Sequence, residues 1–144
     1  MTILLALIAA LGMAGEDPVK GDLDKLQGKW ILVAMEVDGE EFPAEDRKDW
    51  TAEYEGNKLT LRAGETVRRR GIVTLNTSRN PKAMNTWDLT KDGPFEDQTV
   101  PGIYEISGDS LKVCFARPGN ERPKEFTTKE GTGFLLCVYK RENS

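Results

Sequence analysis

From residue 28 onward, short runs of strand-forming residues recur about every 8–12 residues with a turn signal between neighbours, and no segment keeps a helical period long enough for a core helix. The runs fall at 29–37, 50–55, 58–63, 66–75, 82–90, 102–107, 111–115, 125–128 and 134–141. Between them lie Asp38 and Gly39, Gly56 and Asn57, Gly64, the loops 76–81 and 91–98, the turn Gly108, Asp109 and Ser110, and the Pro/Gly-rich connection 117–123. Strands this short bury a core only by closing one antiparallel sheet on itself or by stacking two, so the spacing predicts an all-β antiparallel barrel or sandwich.

The first run is the best defined. Asp22 is placed to cap a single helical turn in which Leu23 and Leu26 share a face, and Gly28 to end it in a left-handed conformation. Trp30 then opens an alternation that sends Trp30, Leu32, Ala34 and Glu36 to one side and Ile31, Val33, Met35 and Val37 to the other. Both sides start apolar, so one is expected to fill the interior. The other is expected to be covered in part, by a flexible leader over 16–21 or by the acidic segment 40–49. That segment carries Glu40, Glu41, Glu45, Asp46 and Asp49 against Arg47 and Lys48. It reads as a long connection over one mouth of the barrel, and it lacks the glycine-turned spacing of a calcium loop, so no metal is expected.

Residues 3–14 form an uncharged, mostly apolar run, too short for the roughly 20 residues of a membrane span, and small residues at Gly12, Ala14 and Gly15 suit a signal-peptidase site. We read 1–15 as a signal peptide and 16–144 as the single domain. This predicts a secreted or periplasmic protein without stable membrane insertion after cleavage. Export would put Cys114 and Cys137 in oxidising surroundings. Each sits in a strand-like run, and a bridge closing a loop of about 23 residues would stabilise the fold by roughly 3 kcal/mol, while two buried small hydrophobes are the alternative. The formal net charge of −4, with lysines and arginines scattered among acids, argues against a nucleic-acid binder, and no nucleic-acid partner is expected.

Gly28 and Trp30 after a helical turn, with Arg141 near the end of the last run, resemble the lipocalin pattern, in which the late arginine packs across the indole. More specific is the series Pro101, Gly102, Ile103, Tyr104 and Glu105, then Gly108, Asp109, Leu111 and Cys114, then Pro118, Gly119, Arg122, Pro123 and Phe126, and last Lys140 and Arg141. With Leu26, Gln27, Gly28 and Trp30 it resembles an uncharacterised lipocalin-like domain family abundant in planctomycete bacteria, over residues 22–142. The resemblance implies an up-and-down antiparallel barrel of about eight strands behind a short helical turn, in an extracytoplasmic setting, and carries no activity with it. Cys114 matches the family's series, and a cysteine at position 137 is not part of it.

The chain has no histidine, which removes the base of most serine and cysteine hydrolases and a usual ligand of zinc. Cys114, with Lys112 two residues away, is read as structural rather than nucleophilic. We therefore expect no enzyme and no cofactor. The candidate ligand residues are Tyr54, Arg69, Trp87, Tyr104 and Arg122. In the run Arg68, Arg69 and Arg70, strand alternation puts Arg69 on the side of Val67, Gly71 and Val73; if that side is the interior, Arg69 needs a carboxylate, a bound anion or water. Two readings follow: a non-catalytic binder of a small, mostly apolar molecule, or a structural or protein-interaction module of the cell envelope whose protein partner the sequence does not specify.

Overall fold

The computed structural model describes residues 17–142, so the signal peptide expected over 1–15 lies outside the described residues. Helix α1 (Pro18–Leu26) starts earlier than the sequence reading placed it. The Asp17 carboxylate accepts the Val19 N–H at 3.0 Å and Pro18 supplies a preset φ at the first turn, so residues expected as leader are helical. Asp22 is therefore mid-helix and buried rather than a cap. Gly28 has the expected positive φ, +107°, but as the first strand residue, turning the chain from helix into sheet behind the capping Gln27.

The strands are β1 (Gly28–Val37), β2 (Glu40–Glu41), β3 (Trp50–Glu55), β4 (Lys58–Ala63), β5 (Thr66–Asn76), β6 (Ala83–Asp88), β7 (Thr99–Ser107), β8 (Ser110–Phe115) and β9 (Leu135–Arg141). Apart from β2, a two-residue arm on β1, they pair antiparallel in chain order, and β1 also pairs with β9. This closes an up-and-down barrel of eight strands, the all-β architecture expected. Closure leaves no long unpaired edge. The helix, the β3–β4 and β7–β8 turns and the β5–β6 loop lie at one end, and the four other connections at the opposite end.

Two bulges decide what faces inward. In β1, Leu32 pairs with Tyr139 and Ala34 with Val138, leaving Val33 over. The extra residue reverses the alternation. Trp30 and Leu32 point inward as expected, but beyond Val33 it is Met35 and Val37 that face the interior, not Ala34 and Glu36. In β5, Leu61 pairs with Arg69 and Arg62 with Val67, leaving Arg68 over, so Arg69, Val73 and Leu75 face inward while Val67 is exposed. The core fills the helix end of the barrel with Leu26, Trp30, Tyr54, Leu59, Tyr104 and Leu111.

Residues 116–134 contain no strand, against the expectation over 125–128. The segment runs as a strap along the outside of the barrel, held by side chains instead of a ladder. Arg122 donates to Gly102 O at 2.8 Å and to Asn85 Oδ1 at 2.7 Å, Cys114 Sγ to Thr127 O at 3.7 Å, and Thr128 accepts from Gly39 N at 2.9 Å while donating to Glu36. Outward-facing Ile103 and Cys114 are buried beneath it. On β1, Ile31 and Val33 stay 39% and 41% exposed, so neither the helix nor the acidic segment covers that face.

The proposed disulfide is absent: Cys114 and Cys137 are both free. The register gives the reason. Cys137 pairs with Val113 and Cys114 with Leu136, one step out of phase, so Cys137 enters the barrel while Cys114 faces the strap. Neighbouring residues on a strand point to opposite faces, and no rotation of a side chain joins them through the sheet.

Candidate ligand cavity

One end of the barrel is sealed. The Trp30 indole is fully buried, and its Nε1–H donates to Leu26 O at 2.8 Å. Arg141 covers the ring at 4.2 Å and reaches past it to the last turn of the helix, donating to Lys25 O at 2.6 Å and Gln27 O at 2.8 Å. The helix is fastened to the barrel on its other side by Asp22, whose Oδ2 accepts from Tyr104 Oη at 2.7 Å and Lys82 Nζ at 2.9 Å. Burial pushes the Asp22 carboxyl up, but the hydrogen bonds of Lys82 and Tyr104, with the charges of Lys82 and Lys25, outweigh it and leave the group below its ordinary pKa. Burial, then the Asp22 contact, raises Tyr104. The Gln27 amide completes the seal, donating to Gly56 O and accepting from Gly56 N, at 2.9 and 2.7 Å.

Above this floor the interior is not filled. A cavity of about 290 Å³ opens toward the other end, walled by Leu32, Leu59, Leu61, Met35 and Leu135 together with the aromatic rings of Trp50, Phe95 and Phe115. Gly102 makes room for the Phe115 ring, since a Cβ there would stand 2.4 Å from it. Cys137 and Tyr139 form part of the wall, and burial raises both, the thiol to about 12, so each stays protonated.

Four polar residues break the apolar wall: Arg69, Thr86, Asp88 and Arg117. Asp88, 1% exposed, takes the Thr90 N–H on Oδ1 at 2.7 Å and faces Arg69 Nε across 3.6 Å with Oδ2. The Arg69 guanidinium lies over the Phe95 ring at 5.2 Å. Thr86 Oγ1 is buried and has no hydrogen-bond partner among the described residues.

Of the five candidate ligand residues, Arg69 alone is part of this wall. Tyr54 is buried in the packed core below the cavity, and Tyr104 is engaged by Asp22 in the floor. Trp87 lies on the outer surface, 42% exposed, because Thr86 and Asp88 on either side of it point inward. Arg122 holds the strap, and burial, followed by the charge of Arg79, lowers its pKa. Sequence reasoning missed Thr86, Asp88, Trp50 and Phe95. The alternation of β6 carries the signal for the first two, since it forces a choice between Trp87 inside and the Thr86–Asp88 pair inside; preferring the aromatic picked the wrong face.

Among the described residues no three His, Cys, Asp or Glu side chains gather as a metal site. The closed eight-stranded barrel is compatible with a lipocalin-like fold, and no protein-family model, curated protein or solved structure matches the chain.

Proposed function

We propose that this protein is an exported, lipocalin-like barrel that carries a small, mostly apolar molecule and catalyses no reaction on it. The observation behind the reading is the cavity of about 290 Å³, closed at the Trp30 end, open at the other, and walled largely by aliphatic and aromatic side chains. Its volume stands at the lower limit of the about 300–1,000 Å³ common for small-molecule sites, so the occupant is small. A non-catalytic role is supported by the chemistry of the wall: no histidine, a thiol at Cys137 held protonated, and a carboxylate at Asp88 occupied by Thr90 and Arg69. Export rests on the apolar run 3–14, and the family assignment on the resemblance from Leu26 to Arg141 together with the barrel.

Two measurements test the reading. Native mass spectrometry of protein purified without denaturant from its own host is expected to show an added small mass that is lost on unfolding. The neutral dye N-phenyl-1-naphthylamine is expected to brighten on entering the barrel of delipidated protein. Neither a bound mass nor dye uptake would overturn it. The outer-face Trp87 and Leu89, 42% and 44% exposed, support the second reading, a protein-interaction module, which that result would favour.

A further inference from the structure

We infer that the cavity selects amphiphiles bearing a single carboxylate, with the head group between Thr86 and Arg69 and the hydrocarbon end toward the Trp30 floor. The inference rests on the carrier reading above and adds the chemical class of the cargo.

The first observation is the hydroxyl of Thr86. It belongs to a cavity-lining residue that is 7% exposed, and Oγ1 has no hydrogen-bond partner among the described residues. Buried polar groups are satisfied in folded proteins, and valine would fill the same space without a hydroxyl to satisfy. The neighbouring strand yields to this side chain: at Gly71 a Cβ would stand 2.6 Å from Thr86 Cγ2. The methyl is thus seated against β5, and the hydroxyl is left for a partner that the described residues do not supply.

The second observation is the charge balance of the wall. Its charged members are Arg69, Arg117 and Asp88, two cations against one anion. Asp88 is the one already engaged, by the Thr90 N–H at 2.7 Å and by Arg69. Arg69 faces Asp88 with Nε at 3.6 Å, beyond hydrogen-bond distance, and among the described residues its Nη groups make no hydrogen bond. The planar fork that remains, backed by the Phe95 ring, matches the two oxygens of a carboxylate. One bound monoanion brings the wall to neutrality; a cationic head group would face two arginines.

The third observation is the separation of the two kinds of wall. Arg69 lies toward the mouth end of β5, Asp88 at the mouth end of β6 one inward position deeper, Thr86 one deeper again, and Arg117 at the exposed rim beyond β8. Toward the floor the lining is Leu32, Leu59, Cys137 and Tyr139, with no ionised group. A chain with its polar end up and its alkyl end down meets both surfaces at once.

The test uses three probes of equal chain length, sodium octanoate, octan-1-ol and octylamine, each displacing N-phenyl-1-naphthylamine from the full mature chain at neutral pH. Octanoate is expected to compete at about a tenfold lower concentration than octan-1-ol, and octylamine to be the weakest, the size of effect that one charge-assisted pair gives. Arg69→Gln is expected to abolish the preference for octanoate. It also removes a partner of Asp88, so Thr86→Val, which keeps the shape of the side chain, is the cleaner variant; it is expected to weaken octanoate several-fold relative to octan-1-ol with the thermal transition retained. Dye uptake with equal competition by octanoate and octan-1-ol would overturn the carboxylate selectivity and leave the carrier reading standing. Unchanged octanoate affinity in Thr86→Val would overturn the placement of the head group. Failure of the wild-type protein to take up dye or any probe would overturn both readings.

Discussion

Arg141 lies with its guanidinium 4.2 Å from the centre of the Trp30 ring, directly opposite it in the β1–β9 ladder. The same side chain donates to two carbonyls of the last helical turn, Lys25 O and Gln27 O, groups that a helix end leaves without intrahelical partners. One residue of the last strand thus joins the first strand and the helix, and the barrel is closed and plugged by the same set of contacts. We expect Arg141→Ala to lower unfolding free energy by about 2–4 kcal/mol, combining a lost cation–π contact with two charge-assisted hydrogen bonds. Trp30→Ala should cost about 3–5 kcal/mol. Urea unfolding of both single variants and the double variant checks the link: the double loss should be clearly smaller than the sum, because each change removes the same stacking. Strict additivity would mean that the stacking contributes nothing.

Asp22 carries a pH-dependent part of the stability. Its folded pKa is depressed below the ordinary 3.8, so its contribution is fully present above that value and is lost as the pH falls through the lower, folded one. Asp22→Ala also strips the Tyr104 hydroxyl and the Lys82 ammonium of an acceptor, and we expect it to cost about 1–3 kcal/mol at pH 7. The gap between wild type and variant in urea midpoint should narrow below pH 4. A gap that stays constant down to pH 2 would show that Asp22 acts by packing alone.

How far the fold could be read beforehand follows from what kind of interaction sets each part. Turn chemistry and strand alternation are local, so eight of the nine expected strands appear close to their places, and the closure by Trp30 and Arg141 follows from the resemblance. The bulges at Val33 and Arg68 are not local: an extra residue is visible only when the partner strand is counted against it, which is why strict alternation set Met35 and Val37 on the side opposite Trp30. The strand expected over 125–128 fails for a related reason, since Arg122, Thr127 and Thr128 spend their bonds on distant strands. Asp22 was taken as a cap because its partners, Lys82 and Tyr104, are 60 and 82 residues away. Of the candidate site only Arg69 was legible, from parity; the Thr86–Asp88 side of β6 contradicts the habit of placing aromatics inside.

The two cysteines predict a chemical silence and an alkaline sensitivity. Burial raises Cys114 to about 11 and Cys137 to about 12, against an ordinary 9.0, so both stay thiols in the native state at pH 8. An aromatic disulfide reagent should leave native protein almost untouched at that pH and titrate two thiols once it is unfolded. Because the folded pKa values exceed the unfolded ones, the stability they confer is whole below pH 9 and falls as the pH rises toward 11 and 12; burial raises Tyr54, Tyr104 and Tyr139 as well and adds to the slope. Urea midpoints measured from pH 8 to 11 should fall steadily. A flat profile, or two thiols that react at once in the native protein, would contradict the burial of both groups.

Two substitutions separate the interior from the outer face. Trp87 stands between Thr86 and Asp88 in sequence but on the opposite side of the sheet, so Trp87→Ala should leave dye uptake unchanged and move stability by no more than about 1 kcal/mol. Leu61 is part of the cavity wall, and Leu61→Trp puts a larger ring into empty volume instead of packed core, so the usual overpacking cost of about 1–3 kcal/mol should be largely avoided while the space for a ligand shrinks. Dye uptake should then fall at least several-fold in Leu61→Trp with a near-native thermal transition. If instead Trp87→Ala abolishes uptake and Leu61→Trp leaves it intact, the dye binds on the outer surface, and the enclosed space above Trp30 is a void rather than a binding site.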